Sequence, residues 1–318
     1  MFAARCAGVS LAVFVLVYVL LSVAVARGWK LIRRTLRPSS ARGAADLLFA
    51  LRILPLVLSS VVTLAFTVPS FLLLEPRSTN EAIGTAPLAL GFCCLILLGV
   101  GIARATIAQM RASRSLRKWL DGSMLMESQV SEPADAVPIF CTGNDAPTLI
   151  VAGVCTPKVL VSEAAVAMLN PQELRTALRH EIAHVLRYDN LKKLVFRFSV
   201  FPAMAELERA WSEETEMAAD DAAVSNFRDA LDLAAALIKV SRLGPVEPSG
   251  ELTTALLHSS TALSTRVQRL VAWTKARKPE SRRRWLYALP AAALAIAVVT
   301  SYGSVLTQMH NVTEWLVR

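Results

Sequence analysis

Four long apolar runs divide this sequence, and each run is long enough to cross a lipid bilayer as a helix. They cover about residues 9–26, 53–74, 87–108 and 285–306, and about 20 apolar residues are needed to span the hydrocarbon core. The chain is 54% hydrophobic and only 19% charged, which is too apolar for an ordinary soluble domain. The sequence therefore predicts an α-helical membrane protein with four transmembrane helices.

Lys and Arg are concentrated beside these runs, within residues 27–42, 104–118 and 275–284. Because cytoplasmic loops carry an excess of Lys and Arg, this pattern places both chain termini outside the cell and the segment 119–282 in the cytoplasm. The same charge bias favours a retained first span over a cleaved signal peptide. Residues 307–318 would form a short extracytoplasmic tail. The net charge of +9 then reflects membrane topology, and we expect no direct binding to nucleic acid.

The segment 119–282 lies between the third and fourth predicted spans, and its length suits one domain. Residues 1–118 would hold the first three spans with their basic cytoplasmic loops. The predicted elements of the domain are strands at about 137–141, 148–151 and 158–162 and helices at about 191–207, 213–240 and 264–273. This succession predicts an α+β domain with a small sheet at its start. The basic, Phe-rich stretch 191–205 would lie along the membrane surface or form a core helix.

The domain contains an H-E-x-x-H motif, His180-Glu-Ile-Ala-His184, within a further predicted helix. Asn170 and Glu173 have the spacing of a capping box and predict where that helix begins. Residues four apart share one face of a helix, so His180 and His184 can bind the same zinc ion. Glu181 lies beside that ion, where it can act as the base that activates water.

A catalytic zinc ion takes three protein ligands, and we expect the third to be acidic. Glu216 and Asp220 are one helical turn apart within an acidic cluster. Glu216 would bind the metal, while Asp220 would hydrogen-bond a liganding histidine. Glu213 and Glu214 are alternative ligands. Asp220 and its neighbour Asp221 would otherwise belong to an ordinary solvated helix face.

Several segments together resemble the membrane-bound gluzincin metallopeptidases of the beta-lactam sensor/antirepressor (BlaR/MecR) type. The segments are Gly153-Val-Cys-Thr-Pro157-Lys-Val-Leu-Val-Ser162, Leu178-Arg-His-Glu-Ile-Ala-His184, Asp189-Asn190, Glu216-x-x-x-Asp220 and Arg266-Val-Gln-Arg-Leu270. The resemblance implies a cytoplasmic gluzincin-like zinc metallopeptidase domain in a protein of a bacterial-type inner membrane. It implies that His180, His184 and Glu216 bind zinc. Glu181 would then be the catalytic base, and Asp220 would hold a liganding histidine.

The predicted reaction is the hydrolysis of a peptide bond. Glu181 would accept a proton from the attacking water and pass it to the leaving amine. The developing oxyanion would need a further donor, and the candidates in the sequence are Arg187, Tyr188 and His258. An extended substrate could pair with an edge of the predicted sheet.

The resemblance implies an endopeptidase in signal transduction that cleaves a cytoplasmic transcriptional repressor or itself. Only Thr307 to Arg318 follow the fourth run, so we expect no penicillin-binding sensor domain. The related heat-shock membrane peptidases share the zinc motifs, which makes membrane-protein quality control an alternative. A non-enzymatic, zinc-stabilised membrane scaffold is another, and it would not need Glu181. Expected partners are a protein or peptide substrate and the lipid bilayer, with a second copy of the chain or a separate sensor protein as further candidates.

Overall fold

A computed structural model describes residues 2–36, 40–75, 84–126, 137–143, 147–243, 253–255, 260–273 and 301–314 of the chain. The described part is mostly helical. Its helical stretches long and apolar enough to cross a membrane are Phe2–Thr35, Ala41–Leu74 and Thr85–Leu120. They contain the first three predicted spans, in agreement with the predicted helical membrane protein.

The long helical stretches precede a mixed domain with a small sheet. The long stretches consist of α1 (Phe2–Leu36), α2 (Ala41–Val61), a π-helical segment (Val62–Thr67), α3 (Val68–Leu74) and α4 (Thr85–Leu120). The later elements are β1 (Met124–Met126), β2 (Ile139–Thr142), β3 (Leu149–Ala152), β4 (Lys158–Ser162), α5 (Glu163–Met168), α6 (Pro171–Leu186), α7 (Asp189–Phe198), a 3-10 turn (Pro202–Met204), α8 (Ala205–Ala223), α9 (Phe227–Arg242), β5 (Thr253–Ala255) and α10 (Ser260–Val271). The sheet has the order β1-β2-β4-β3-β5. Strands β2 and β4 are parallel, and the other neighbours are antiparallel.

The fourth predicted span, 285–306, lies mostly outside the described residues. Its last residues belong to a helical segment, 301–314, which we call the C-terminal segment. Tyr302 Oη donates to the carbonyl oxygen of Ala65 at 2.8 Å. The Tyr302 ring also contacts that of Phe66, with 5.6 Å between the centroids. The C-terminal segment therefore packs against the π-helical part of the second long stretch.

The sheet is covered on both faces because its strands send apolar side chains alternately to two cores. Val151 and Val159 face the main core of the domain, which α6, α9 and α10 complete. Ile150 and Leu160 face the opposite side and pack against Trp119 at the end of α4. Successive residues of a strand point to opposite faces, so this alternation also fixes the register. The third long helix is thereby attached directly to the sheet.

The three predicted strands and the motif helix occur where the sequence predicts them. Two other helices are predicted as continuous, but in the structure each of them is broken. The helix predicted at 191–207 ends at Phe198. Pro202 cannot continue it, because a proline ring clashes with the carbonyl group four residues earlier. The helix predicted at 213–240 is interrupted where the side chain of Asn226 caps the start of α9. Strands β1 and β5 are not predicted, because three residues carry too little pattern.

The end of α7 lies against the long helices rather than at a free surface. Phe196 is buried in a hydrophobic core shared by α1, α2, α7 and α8. Just beyond α7, the carbonyl oxygen of Val200 accepts a hydrogen bond from Tyr18 Oη of α1 at 2.9 Å. A Cβ atom at Gly101 of α4 would collide with the carbonyl oxygen of Phe198. α7 is therefore a core helix that joins the domain to the long helices.

Arg52 of α2 hydrogen-bonds Ser199, the residue that follows α7. Replacing Arg52 should destabilise the protein. Its guanidinium donates to Ser199 Oγ and to Glu208 Oε1, both at 2.8 Å, and its side chain is only 2% exposed. Arg52→Met leaves these acceptors without their donor, so we expect the free energy of unfolding to fall by about 1–3 kcal/mol. The measurement is the thermal midpoint in detergent. Arg42→Met, at an exposed position of the same helix, should leave the midpoint unchanged; equal midpoints for the two variants would contradict the prediction.

Candidate metal centre

Helix α6 carries the H-E-x-x-H motif and begins with the predicted capping box. The side-chain oxygen of Asn170 accepts hydrogen bonds from the backbone N–H groups of Gln172 and Glu173, at 3.0 and 2.9 Å. Glu173 Oε2 accepts from the N–H of Asn170 at 2.8 Å. Lys239 of α9 also donates to Glu173, at 2.7 Å. The capping box is confirmed, and it fixes α6 against a neighbouring helix.

Three buried side chains converge between α6 and α8: His180 and His184 from α6, and Glu216 from α8. His180 Nε2 lies 3.2 Å from His184 Nε2 and 3.5 Å from Glu216 Oε2. His184 Nε2 lies 3.6 Å from Glu216 Oε1. Ligand atoms about 2.0–2.1 Å from a tetrahedral ion are about 3.3–3.4 Å apart. The three groups are therefore spaced to hold one metal ion.

Each of these histidines is backed by a buried carboxylate. His180 Nδ1 lies 2.9 Å from Asp220 Oδ1, and His184 Nδ1 lies 2.8 Å from Asp189 Oδ2. His184 hydrogen-bonds Asp189 in this way, and a ring that donates its Nδ1–H to a carboxylate presents the Nε2 lone pair to a metal. His180 Nδ1 is close to Asp220 but has no hydrogen-bond partner among the described residues. Asp220 is 0% exposed, so it does not belong to a solvated helix face. The structure places Asp220 next to His180, and it brings Asp189 to His184, a contact that the sequence analysis does not assign.

Asp189 reaches His184 because the chain turns sharply after α6. Tyr188 adopts a left-handed backbone conformation, with φ of 56°, and α7 starts at the next residue. Asn190 Nδ2 then donates to the carbonyl oxygen of Gly153 at 3.0 Å, which fixes the turn against the end of β3. The signal in the sequence is an acidic residue that follows the second motif histidine at the end of the predicted helix.

Arg266 of α10 borders the site on another side, a position that sequence reasoning does not assign. Its Nε and one terminal nitrogen donate to Asp220 at 2.8 and 2.6 Å, and its other terminal nitrogen donates to Glu216 at 3.0 Å. The guanidinium also comes within 3.5 Å of His180 Nε2. One positive charge thus compensates two buried carboxylates. The signal in the sequence is an arginine on the buried face of a helix, four residues before the buried Leu270.

The candidates for the third ligand differ in their surroundings. Glu213 is exposed, and Glu214 forms an ion pair with Arg33 of α1. Of these three glutamates, only Glu216 has a ligand atom grouped with those of both motif histidines in the described part of the chain. The geometry therefore favours Glu216 over the two alternatives.

Burial and neighbouring charges give the site unusual ionisation. Burial lowers the pKa of His180, but the nearby carboxylates of Asp220 and Glu216 outweigh this effect and raise the pKa to about 9. Burial raises the pKa of Glu181 to about 8. Burial also opposes the ionisation of Glu216, yet His184 and Arg266 hold its pKa well below the ordinary value. The site thus keeps Glu216 ionised, and this carboxylate favours a bound cation once His180 has lost its proton.

Glu181 is buried beside these groups, and neither of its carboxylate oxygens has a hydrogen-bond partner among the described residues. A buried carboxylate without partners is unfavourable and indicates a missing polar neighbour. A water molecule next to a metal ion would supply one. The donor set and this unpaired carboxylate therefore fit a divalent metal ion that activates water.

The three residues that the sequence offers as oxyanion donors have different surroundings. Tyr188 is 67% exposed, and the guanidinium of Arg187 lies 3.8 Å from Asp189 Oδ1. His258 lies outside the described residues. Lys193 of α7 is a further cation near the site: burial lowers its pKa, although the carboxylates of the site oppose this effect.

No protein-family model matches this sequence, and no curated protein matches it either. The resemblance to the antirepressor metallopeptidases therefore rests on the five quoted segments. Each segment contributes to this centre, through Gly153, the H-E-x-x-H motif, Asp189-Asn190, Glu216 with Asp220, and Arg266.

Metal affinity at this centre should increase with pH. The pKa of His180 is raised to about 9, so its protonated form predominates below that pH and a metal must displace the proton. We expect the affinity to rise by up to about tenfold per pH unit from about pH 7 to pH 9. Competition titrations against a chelator measure this rise. Calorimetry in two buffers should show proton release on binding, and an affinity that is constant over this range would contradict the prediction.

Proposed function

We propose that this chain is an integral-membrane, zinc-dependent endopeptidase that acts in signal transduction. The observation that carries the proposal is the 3.2–3.6 Å spacing of the ligand atoms of His180, His184 and Glu216, with Glu181 buried beside them. Two imidazoles and one carboxylate suit Zn²⁺, which takes three protein ligands in catalytic sites. Mg²⁺ and Ca²⁺ prefer oxygen ligands, so they fit this set less well.

In the proposed mechanism, the residues of α6 activate water and transfer its proton. A zinc ion held by His180, His184 and Glu216 would supply Lewis-acid chemistry. In its ionised form, Glu181 accepts the proton of the attacking water and then delivers it to the nitrogen of the leaving amine. Asp220 and Asp189 keep the Nε2 atoms of His180 and His184 directed at the metal position.

The proposed substrate is a cytoplasmic transcriptional repressor or the chain itself. Extended peptides often bind by adding a strand to the edge of a sheet. Strand β5 pairs with β3 in this way, antiparallel and in contact with α6. Because β5 already occupies that edge of β3, the proposal places an extended substrate along the outer edge of β5, the end strand of the described sheet.

The proposed topology has four spans, with the peptidase domain on the cytoplasmic side. Three long apolar helices support the membrane location. The basic residues that follow the first and third spans support the cytoplasmic side for the domain. The proposed relatives are the gluzincins of the antirepressor type. The five segments of this chain that resemble them lie at the metal centre.

The test compares the full-length protein with its Glu181→Gln variant in detergent. Bound zinc is quantified, and both proteins are incubated with soluble and membrane proteins of the same cell. New N-termini are then identified by mass spectrometry. One zinc in both proteins, with one or few Glu181-dependent cuts in a repressor or in the chain itself, would support the proposal.

Two other results of this experiment would overturn parts of the endopeptidase proposal. Many cut membrane proteins would indicate quality control rather than signalling. Zinc binding without any Glu181-dependent cleavage would indicate a metal-stabilised scaffold.

A further inference from the structure

A second group of metal-binding side chains lies away from the first centre. Glu75 follows the end of α3, while His310 and Glu314 belong to the C-terminal segment. One ligand atom from each of the three residues lies within 4.8 Å of the others. We propose that these three residues form a second site, for a divalent transition metal ion such as Zn²⁺.

The two residues on the C-terminal segment are arranged as a chelating pair. His310 and Glu314 are four residues apart and so share one helical face. His310 Nε2 lies 3.6 Å from Glu314 Oε1. On the other side, His310 Nδ1 lies 3.9 Å from Glu75 Oε2. These two distances involve different nitrogens of the ring, and only one nitrogen can bind a given ion. The three ligand atoms lie within 4.8 Å of one another, so binding would require the side chains to move closer together.

The burial of these groups supports a ligand rather than a solvated cluster. The side chain of Glu75 is 8% exposed and that of His310 is 15% exposed. His310 Nδ1 is buried and has no hydrogen-bond partner in the described part of the chain. A buried imidazole nitrogen without a partner is unfavourable, and a metal ion would satisfy it. Glu314 is 48% exposed, so an ion and its waters can enter from that side.

Arg5 of α1 pairs with one of the two carboxylate oxygens of Glu75. Arg5 forms an ion pair with Glu75 Oε1 at 3.1 Å, whereas Oε2 faces His310. This positive charge offsets part of the charge of the two carboxylates, which disfavours Ca²⁺ and Mg²⁺ sites that depend on several anionic oxygens. The imidazole instead selects a transition metal, because nitrogen ligands suit Zn²⁺, Cu²⁺ and Ni²⁺.

The second site lies at the opposite end of α1 from the peptidase centre. Arg5 is near the start of this helix, and Arg33, which pairs with Glu214 of α8, is near its end. These two residues are separated by 28 positions, or about 42 Å of helix. A metal bound here would join α1, α3 and the C-terminal segment. The second site is therefore separate from the proposed peptidase centre. It would give α1, α3 and the C-terminal segment a metal ligand of their own.

The experiment is a zinc titration of the full-length protein in detergent, with a purification tag that contains no histidine. Wild type, His310→Ala, Glu314→Gln and Gln308→Ala are compared in the presence of a competing chelator. We expect His310→Ala to bind one zinc fewer than wild type. We expect Glu314→Gln to bind the same ion at least about tenfold more weakly. Gln308 is exposed on the same segment, so Gln308→Ala should bind as wild type does.

The difference between variants separates this proposal from the peptidase proposal. If the peptidase centre binds no zinc, His310→Ala should still bind one ion fewer than wild type. Equal stoichiometry and affinity in wild type, His310→Ala and Glu314→Gln would overturn the second site. Glu314 is exposed, so Glu314→Gln keeps the test valid even if His310→Ala folds poorly.

Discussion

A Glu181→Gln protein is expected to cleave its substrate about 10²–10⁴-fold more slowly than wild type while it binds the same amount of zinc. The amide keeps the size of the side chain but cannot accept a proton from water at neutral pH. Glu181 is outside the group whose ligand atoms converge, so the metal should stay bound. The measurement is kcat/KM on a peptide that contains the identified cleavage site, together with metal content.

The matched control for this substitution is Glu213→Gln. Glu213 is an exposed carboxylate on α8, close in sequence to the metal site but directed to solvent. Its loss should change kcat/KM little. Full activity in Glu181→Gln would show that another group takes the proton, and it would remove Glu181 from the mechanism.

A Glu216→Gln protein is expected to lose zinc, with an affinity at least about 100-fold lower than that of wild type. Loss of a group that only supports a ligand already lowers metal affinity about 10–100-fold, and Glu216 is proposed as a ligand itself. The neutral amide removes the negative charge that faces both histidines and Arg266. Cleavage should fall with metal content and should recover in part at high zinc concentration.

Glu214→Gln is the control for the third ligand. Glu214 lies two residues before Glu216 and is also buried, but it pairs with Arg33. Its substitution removes a carboxylate of α8 without touching the convergent ligand atoms. Zinc binding should persist, and zinc loss in Glu214→Gln but not in Glu216→Gln would reverse the assignment.

The local features of α6, the helix that carries the H-E-x-x-H motif, are predictable from the sequence because they depend on short-range rules. Asn170 and Glu173 are three residues apart, and a capping box needs only that spacing. His180 and His184 share a face because of helix geometry alone. The three central strands follow from compact β-rich runs bounded by turn residues.

The partners that complete the centre are not predictable in the same way. Arg266 meets Asp220 across 46 residues, and no short-range pattern links these positions. Arg52 meets Ser199 across 147 residues. Such pairs depend on how the helices pack, which a single sequence does not encode at any fixed spacing. Asp189 is an intermediate case, because its role depends on the left-handed turn at Tyr188.

The core that α7 and α8 share with α1 and α2 limits how the protein can be produced for biochemical work. Phe196, Leu207 and Trp211 are buried in that core against the first two long helices. A recombinant fragment that begins at residue 119 would expose these side chains, at about 1.5–3 kcal/mol each. The sum is comparable with the whole stability of a typical domain, about 5–15 kcal/mol. Such a fragment should aggregate, and crystallisation or inhibitor screening would need the chain with its three long apolar helices.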